Sequence, residues 1–251
     1  MIDTHAHIYL PEFDADRESM IERAEKAGIK RILMPAIDST TLIKMLEVEK
    51  MSTGFLSMIG LHPCSVNQNY KSELQIVTDF LKQRKFVAIG EIGLDFYWDK
   101  TFTEQQFAAF HEQIELAINH NIPIAIHSRN AIDECIEVIT QYPKLRGVFH
   151  CFSGSYEQAT KIIDARFLLG IGGVVTFKNS GLDKVVERTG IQHLILETDA
   201  PYLAPVPFRG KRNEPSYIPF IVEKLSVLLK KTKEEIIEST TQNAIKLFNL
   251  N

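Results

Sequence analysis

The chain alternates between short apolar runs and longer segments that carry apolar residues at helical spacing. The short runs are apolar at nearly every position, which is typical of strands buried on both faces of a parallel sheet. Eight of them occur: MIDTHAHI from Met1, IKRILMPA from Ile29, GFLSMIGLHP from Gly54, KFVAIGEIGLD from Lys85, IPIAIHS from Ile122, RGVFHCFSG from Arg146, RFLLGIGGVVTF from Arg166 and QHLILETDAPYL from Gln192.

The segments between these runs predict helices with one charged face. They cover residues 16–28, 40–51, 72–84, 103–120, 130–142 and 156–165, and two more helices are predicted at 217–229 and 233–248. Eight strands alternating with helices in 251 residues predict an α/β fold, a closed (β/α)₈ barrel of the TIM type. An open doubly wound sheet is the alternative, but no G-x-G-x-x-G follows an early run. Since no linker interrupts the series, residues 1–251 are predicted to form a single domain.

Composition limits the partners that the protein can attract. Lys and Arg total 28 against 32 Asp and Glu, a formal net charge of −4. Such a chain has no general attraction for nucleic acid or membrane surfaces, so an anionic substrate must be held locally. The sequence shows no leader pattern and no apolar run of about 18 residues, and we expect a cytoplasmic protein without membrane contact. Cys64, Cys135 and Cys151 lack C-x-x-C spacing, which disfavours a cysteine zinc site.

Polar residues with metal-binding side chains end most of the predicted strands. Active sites of (β/α)₈ barrels lie at the carboxyl ends of the strands, so these residues are expected to meet. They are His5 and His7 on the first strand, His62 on the third, Glu91 and Asp95 on the fourth, His127 on the fifth, His150 on the sixth, and Glu197 and Asp199 on the eighth.

Two of these carboxylates, Glu91 and Asp199, stand in otherwise apolar strands, where an ionised group without a cation is costly to bury. A lone histidine at a strand end is more often a hydrogen-bonded scaffold residue, but a metal cluster accounts for all of these residues together. Four imidazoles and two carboxylates suit two divalent ions, with imidazole favouring zinc, manganese, iron or nickel over magnesium. The predicted ligands are His5, His7, Glu91, His127, His150 and Asp199.

A basic loop, PFRGKRNEP, follows the eighth strand. Its cations Arg209, Lys211 and Arg212 are suited to holding a phosphate beside the metal ligands. The alternative is a solvated loop without a function. Aromatic residues near the barrel rim are predicted either to stack on bases or to pack the barrel mouth; they are Phe96, Tyr97, Trp98 and Tyr202.

Seven motifs in order along the chain resemble the TatD family of metal-dependent deoxyribonucleases, within the amidohydrolase-like barrels. They are DTHAH at Asp3, GLHP at Gly60, AIGEIGLDFY at Ala88, PIAIHSRNA at Pro123, HCFSG at His150, ETDAPYLAP at Glu197 and RGKRNEP at Arg209. The resemblance implies a TIM barrel that hydrolyses DNA phosphodiesters with divalent ions, typically Mg²⁺. It implies 3′–5′ exonuclease action on single-stranded or frayed DNA, with DNA as the partner and no obligate protein partner.

The resemblance also implies roles for individual residues. His5, His7, Glu91 and Asp199 would bind one ion, Glu91, His127 and His150 the second, and Glu91 would bridge the two. We expect Asp199 to accept a proton from the attacking water. His62 and Asp95 would position phosphate or orient the metal ligands, and Arg209 and Arg212 would neutralise the charge of the substrate.

Two departures from the family pattern concern substrate contacts. Cys64 follows Pro63 where family members often have histidine, and Ile8 and Tyr9 stand where Leu-Asp is common. Two alternatives therefore remain open. One is a hydrolase of another ester or amide, such as an aminoacyl ester or a lactone, and the other is a non-catalytic metal-binding protein.

Overall fold

The structure is a computed structural model and describes residues 1–250. Within that range the chain forms eight strands, and every pairing between them is parallel. The strands are β1 (Ile2–Asp3), β2 (Arg31–Met34), β3 (Phe55–Ser57), β4 (Ile89–Asp95), β5 (Ile124–Arg129), β6 (Gly147–Phe149), β7 (Leu168–Ile171) and β8 (Leu194–Leu196).

Helices connect successive strands, as the hydrophobic pattern predicts. Residues 1–250 contain nine of them: α1 (Arg17–Lys26), α2 (Ser39–Glu49), α3 (Tyr70–Gln83), α4 (Thr103–His120), α5 (Ile132–Thr140), α6 (Tyr156–Asp164), α7 (Leu182–Thr189), α8 (Ile218–Leu229) and α9 (Lys233–Phe248). Short 3₁₀ turns lie at Pro11–Phe13, Pro63–Ser65, Gly173–Thr176, Ile191–His193 and Pro215–Tyr217.

The strands form two sheets that meet at both edges. One sheet has the order β1-β2-β3 and the other β4-β5-β6-β7-β8. A parallel bridge between Ile59 and Ile89 joins β3 to β4, and one between Ala6 and Ala200 joins the first strand to the last. At the second seam the His7 amide donates to the Ala200 carbonyl over 2.7 Å. The eight strands therefore close into the predicted (β/α)₈ barrel.

Helix boundaries follow local capping chemistry. The predicted helices at 103–120 and 233–248 coincide with α4 and α9. Thr232 and Glu235 form a reciprocal capping box that begins α9, which satisfies two amides at the helix start. Helix α7 was not among the predicted segments, and it begins after Gly181, whose φ of 72° lies in the left-handed region.

The seventh strand is shorter than its apolar run. The run predicts a strand across 166–177, whereas β7 ends at Ile171 and a 3₁₀ turn follows at Gly173–Thr176. A Cβ on Gly173 would lie 2.1 Å from the Leu203 carbonyl oxygen. The backbone of the loop after β8 therefore lies against this turn, and an apolar pattern alone carries no signal for that approach.

Apolar side chains fill the barrel toward the amino ends of the strands, and polar groups occupy the carboxyl ends. The buried cluster there contains one residue from each of several strands or the segments beside them, together with the end of α9: Ile2, Leu33, Met58, Ala88, Ala125, Val148, Ile195, Ala244, Leu247 and Phe248. A filled interior of this kind confines the candidate chemistry to the other end of the barrel. No helix within residues 1–250 is long and apolar enough to cross a membrane.

Candidate metal centre

The carboxylate of Glu91, on β4, lies at the centre of a group of histidines. Its Oε2 atom is 3.1 Å from His5 Nε2 and 3.5 Å from His7 Nε2. Both histidines follow β1, and they flank Ala6, which pairs with the segment after β8. Side chains two apart on extended backbone point the same way, so this short segment directs two imidazoles at one carboxylate oxygen.

The other oxygen of Glu91 faces a second set of histidines. Oε1 lies 2.9 Å from His127 Nδ1, 2.9 Å from His150 Nε2 and 3.4 Å from His62 Nε2. His127 belongs to β5, His150 follows β6, and His62 precedes the 3₁₀ turn after β3. Each oxygen of the Glu91 carboxylate therefore faces its own set of histidines.

Asp199 joins the first set. Its Oδ1 atom is 3.9 Å from His5 Nε2 and 3.8 Å from His7 Nε2. The residue has a φ of 58°, and its amide donates to the His5 carbonyl over 2.9 Å. Its side chain is 13% exposed against 3% for Glu91, so it is the more accessible of the two carboxylates.

The tautomer of His7 follows from its hydrogen bonds. The Tyr9 hydroxyl donates its single proton to the Pro35 carbonyl over 2.7 Å. The 3.0 Å contact between His7 Nδ1 and the same hydroxyl therefore has Nδ1–H as donor. In the neutral ring, the lone pair of His7 Nε2 is left facing Glu91 and Asp199, an arrangement that a cation between the groups would stabilise.

His127 is held in the same manner by Asp95. Burial alone would raise the pKa of Asp95, but hydrogen bonds from His127 and from the Trp98 and Tyr97 amides hold that pKa well below its usual range. The ionised carboxylate accepts from His127 Nε2–H over 2.8 Å. In the neutral ring, Nδ1 of His127 carries the lone pair and lies 2.9 Å from Glu91 Oε1.

His150 has a carboxylate behind it that the sequence analysis left without a role. Its Nδ1 atom lies 3.3 Å from Oε1 of Glu197, which is fully buried. The same oxygen accepts a short hydrogen bond from the Cys151 amide. A Cβ on Gly170 would lie 2.2 Å from Glu197 Oε2, so a glycine in β7 makes room for this carboxylate. In the sequence, the feature that points to a role for Glu197 is its position two residues before Asp199.

Asp3 is a second residue whose contacts the sequence analysis missed. It accepts hydrogen bonds from the Thr198 hydroxyl over 2.6 Å and the Thr198 amide over 3.0 Å, and from the His5 amide over 3.3 Å. The carboxyl group therefore ties the His5 segment to the segment that carries Asp199.

The carboxylates and imidazoles of the cluster shift one another's pKa values. Burial alone would raise the pKa of Glu91, but the imidazoles of His150, His62 and His5 hold that pKa well below its usual range. Burial raises the pKa of Asp199 to about 6, against the opposing charges of His150 and His7. His5 Nδ1 is buried and has no hydrogen-bond partner among residues 1–250.

Three overlapping groups of side chains bring ligand atoms within 4.8 Å of one another. Imidazole nitrogens and carboxylate oxygens are suitable donors for divalent transition metals, and the inward lone pairs described above fit such ions. His62 enters one group although the sequence analysis expected a substrate or positioning role for it. The groups are His5, His7 and Asp199; His5, Glu91 and His150; and His62, Glu91 and His127.

Two residues expected to contact substrate are engaged elsewhere. Asp95 is 1% exposed, and its oxygens accept from His127 and from two backbone amides. This geometry fits the orienting role. Arg212 donates from Nη1 and Nη2 to the two oxygens of Asp16 over 2.6 and 2.8 Å. Arg209 and Lys211, on the same loop, are exposed.

Comparison with known families matches residues 2–249 to the TatD related DNase family. The chain belongs to the TatD family. Its TatD-type motifs span the barrel from the first strand to the loop after the eighth, and they include each of the six predicted ligands. The family assignment makes this chain a metal-dependent hydrolase.

Relatives of this TatD chain match it from end to end. YabD of Bacillus subtilis (strain 168), named an uncharacterized metal-dependent hydrolase, is 39% identical over 254 residues and is covered completely, as is this chain. A protein of Erwinia billingiae (strain Eb661), named 3′-5′ ssDNA/RNA exonuclease TatD, is 32% identical, with 100% of this chain and 99% of that protein covered. The crystal structure of the TatD homologue YjjV from Escherichia coli K12 matches with a TM-score of 0.95 at 30% identity, covering 100% and 98% of the two chains.

Proposed function

We propose that this TatD-family hydrolase is a 3′–5′ exodeoxyribonuclease that acts on single-stranded or frayed DNA. The name of the Erwinia relative supports a single-stranded nucleic acid substrate. Residues 1–251 would act as one hydrolase domain, and a DNA substrate agrees with a cytoplasmic location.

The observation that carries the proposal is the division of the histidines by Glu91. Oε2 faces His5 and His7, and Oε1 faces His127 and His150. A carboxylate with a separate set of imidazoles at each oxygen would supply donors for two divalent ions. Asp199 would complete the set at His5 and His7. The imidazole-rich donors suit Mn²⁺ or Zn²⁺ as well as the Mg²⁺ that the family resemblance implies.

Divalent ions bound there would polarise a phosphoryl oxygen and lower the pKa of a bound water toward neutrality. Asp199 would take up the proton that the attacking water loses, because it is the more exposed carboxylate. Glu91, with a pKa well below its usual range, stays ionised throughout.

Phosphate would be held at the open side of the cluster. His62 is 14% exposed; burial lowers its pKa, but the charge of Glu91 outweighs this and raises the pKa above its usual value. Because His62 Nδ1 accepts from the Cys64 amide over 3.0 Å, the ring proton lies on Nε2, which can donate to a phosphate oxygen. Arg209 and Lys211, exposed on the loop after β8, would contribute positive charge.

The test combines metal stoichiometry with digestion of single-stranded DNA labelled at its 3′ or its 5′ end. Metal-dependent shortening from the 3′ end is expected, with about two ions per chain, and both His5→Ala and Asp199→Asn should abolish it. His120→Ala, at the end of α4 and outside the cluster, is the matched control and should keep full activity. Bound metal without DNA degradation would refute the nuclease proposal and direct work to aminoacyl ester and lactone substrates.

A further inference from the structure

Two aromatic residues after β4 are exposed beside the metal-binding end of the barrel. The Trp98 side chain is 68% exposed and that of Tyr97 is 51% exposed. Their rings meet edge to face with centroids 4.9 Å apart. Large aromatic groups are usually buried, so two adjacent exposed rings next to a catalytic site indicate a binding surface.

Arg129, at the end of β5, lies against this pair. Its Cζ atom is 3.9 Å from the centroid of the Tyr97 ring and 5.2 Å from that of Trp98, in cation–π contact. It forms no ion pair with any other residue in the described range 1–250. The surface therefore combines ring faces with a positive charge that is free to meet an anion.

Asp95 fixes the position of the aromatic pair relative to the metal cluster. Its Oδ1 atom accepts from the Tyr97 and Trp98 amides over 2.9 and 3.0 Å, and its Oδ2 atom accepts from His127 Nε2–H over 2.8 Å. One buried carboxylate thus holds both the loop that carries the rings and an imidazole that faces Glu91. Phe96 points the other way and packs near Phe107, with ring centroids 6.1 Å apart.

We propose that Trp98, Tyr97 and Arg129 form a stacking platform for one unpaired base of a nucleic acid strand. The base would stack on the exposed Trp98 face while Arg129 meets a neighbouring phosphate. This platform rests on the proposed function, since it would hold a base of the substrate strand whose phosphate lies at the metal cluster. Stacking tolerates any base, and it requires a base that is not already stacked in a duplex. The platform therefore selects single strands without selecting sequence.

Direct binding is testable because Trp98 is the only tryptophan in the chain. The Asp199→Asn variant, with Mg²⁺ present, is titrated with oligothymidylate, with an abasic oligomer of equal length and with a blunt duplex. Tryptophan fluorescence should be quenched by oligothymidylate and much less by the other two. Equal quenching by the abasic oligomer would show phosphate binding without stacking and would overturn the platform.

Kinetics provide the second readout. Trp98→Ala should raise KM for single-stranded DNA roughly five- to a hundredfold, the loss expected for one base stack, with kcat little changed. Trp98→Phe should recover most of the difference. Val227→Ala, an equally exposed apolar position on α8, is the control and should leave KM unchanged.

The abasic oligomer separates the two proposals. If the parent protein degrades both oligomers equally well and Trp98→Ala changes neither, the nuclease function stands and the platform is refuted. If the parent protein degrades neither oligomer with Mg²⁺ or Mn²⁺, the proposed function itself fails.

Discussion

Gly170 on β7 lies directly against the carboxylate of Glu197, with space for a hydrogen atom but not for a methyl group. A Cβ there would stand 2.2 Å from Oε2. Glu197 Oε1 is the atom that faces His150 Nδ1. The missing side chain at Gly170 on β7 therefore leaves room for the carboxylate that lies beside the His150 imidazole, after β6.

Gly170→Ala is expected to displace Glu197 and loosen His150. Overpacking of this kind destabilises proteins by about 1–3 kcal/mol, which urea unfolding would measure. Metal affinity, measured by titration calorimetry, should fall as well. Gly172→Ala is the matched control, because its Cβ would meet its neighbours only at 3.6 Å or beyond. Equal behaviour of the two variants would contradict this account of Glu197.

Tyr9→Phe is expected to weaken metal binding without unfolding the barrel. The substitution removes the hydroxyl that accepts from His7 Nδ1–H, so the Nε2 lone pair is no longer held toward the cluster. Loss of such a partner typically lowers metal affinity about 10- to 100-fold. Competition with a fluorescent chelator would measure the change. Tyr217→Phe, on the stack with Phe208, should bind metal as the parent does.

Arg209→Gln and Arg212→Gln are expected to have different effects. Arg209 is exposed, and its Cζ atom lies 4.5 Å from the centroid of the Phe177 ring, so its loss should raise KM for DNA about two- to fivefold and lower the free energy of unfolding by no more than about 1 kcal/mol. Arg212 is paired with Asp16, so its loss should lower the free energy of unfolding more than it raises KM. A large rise in KM for Arg212→Gln with no loss of stability would show that Arg212 contacts phosphate as well.

Asp16→Asn is expected to remove stability in a pH-dependent manner. Hydrogen bonds from Arg212 and then Arg23 hold the pKa of Asp16 well below its usual range. A depressed pKa stabilises the fold above the unfolded-state value near 3.9, and that stability is lost as the pH falls toward the folded-state pKa. The variant should therefore be about 1–2 kcal/mol less stable at pH 7, a figure discounted for partial exposure. In thermal unfolding, the difference in stability between the variant and the parent protein should decrease below about pH 4.

The periodic part of the fold was predictable from the sequence, and long-range pairings were not. Strand and helix periodicity located the barrel and the ends of α4 and α9, and barrel geometry brought the histidines after several strands to one place. Periodicity carries no signal for the salt bridge from Arg212 to Asp16, which are 196 residues apart. For the same reason, the pattern did not predict the contact of Glu197 with His150 or the hydrogen bonds that both oxygens of Asp95 accept. That residues 1–251 form one domain stays a prediction.

The seam between the first and last strands has a consequence for biosynthesis. His5 and His7 leave the ribosome before Asp199, which follows β8, and the Asp199 amide donates to the His5 carbonyl across the seam. A nascent chain that ends before Asp199 has the histidines but lacks both this carboxylate and the backbone contact that places it. The proposed nuclease would therefore remain inactive during translation, and DNA cleavage would begin only after the eighth strand has entered the barrel.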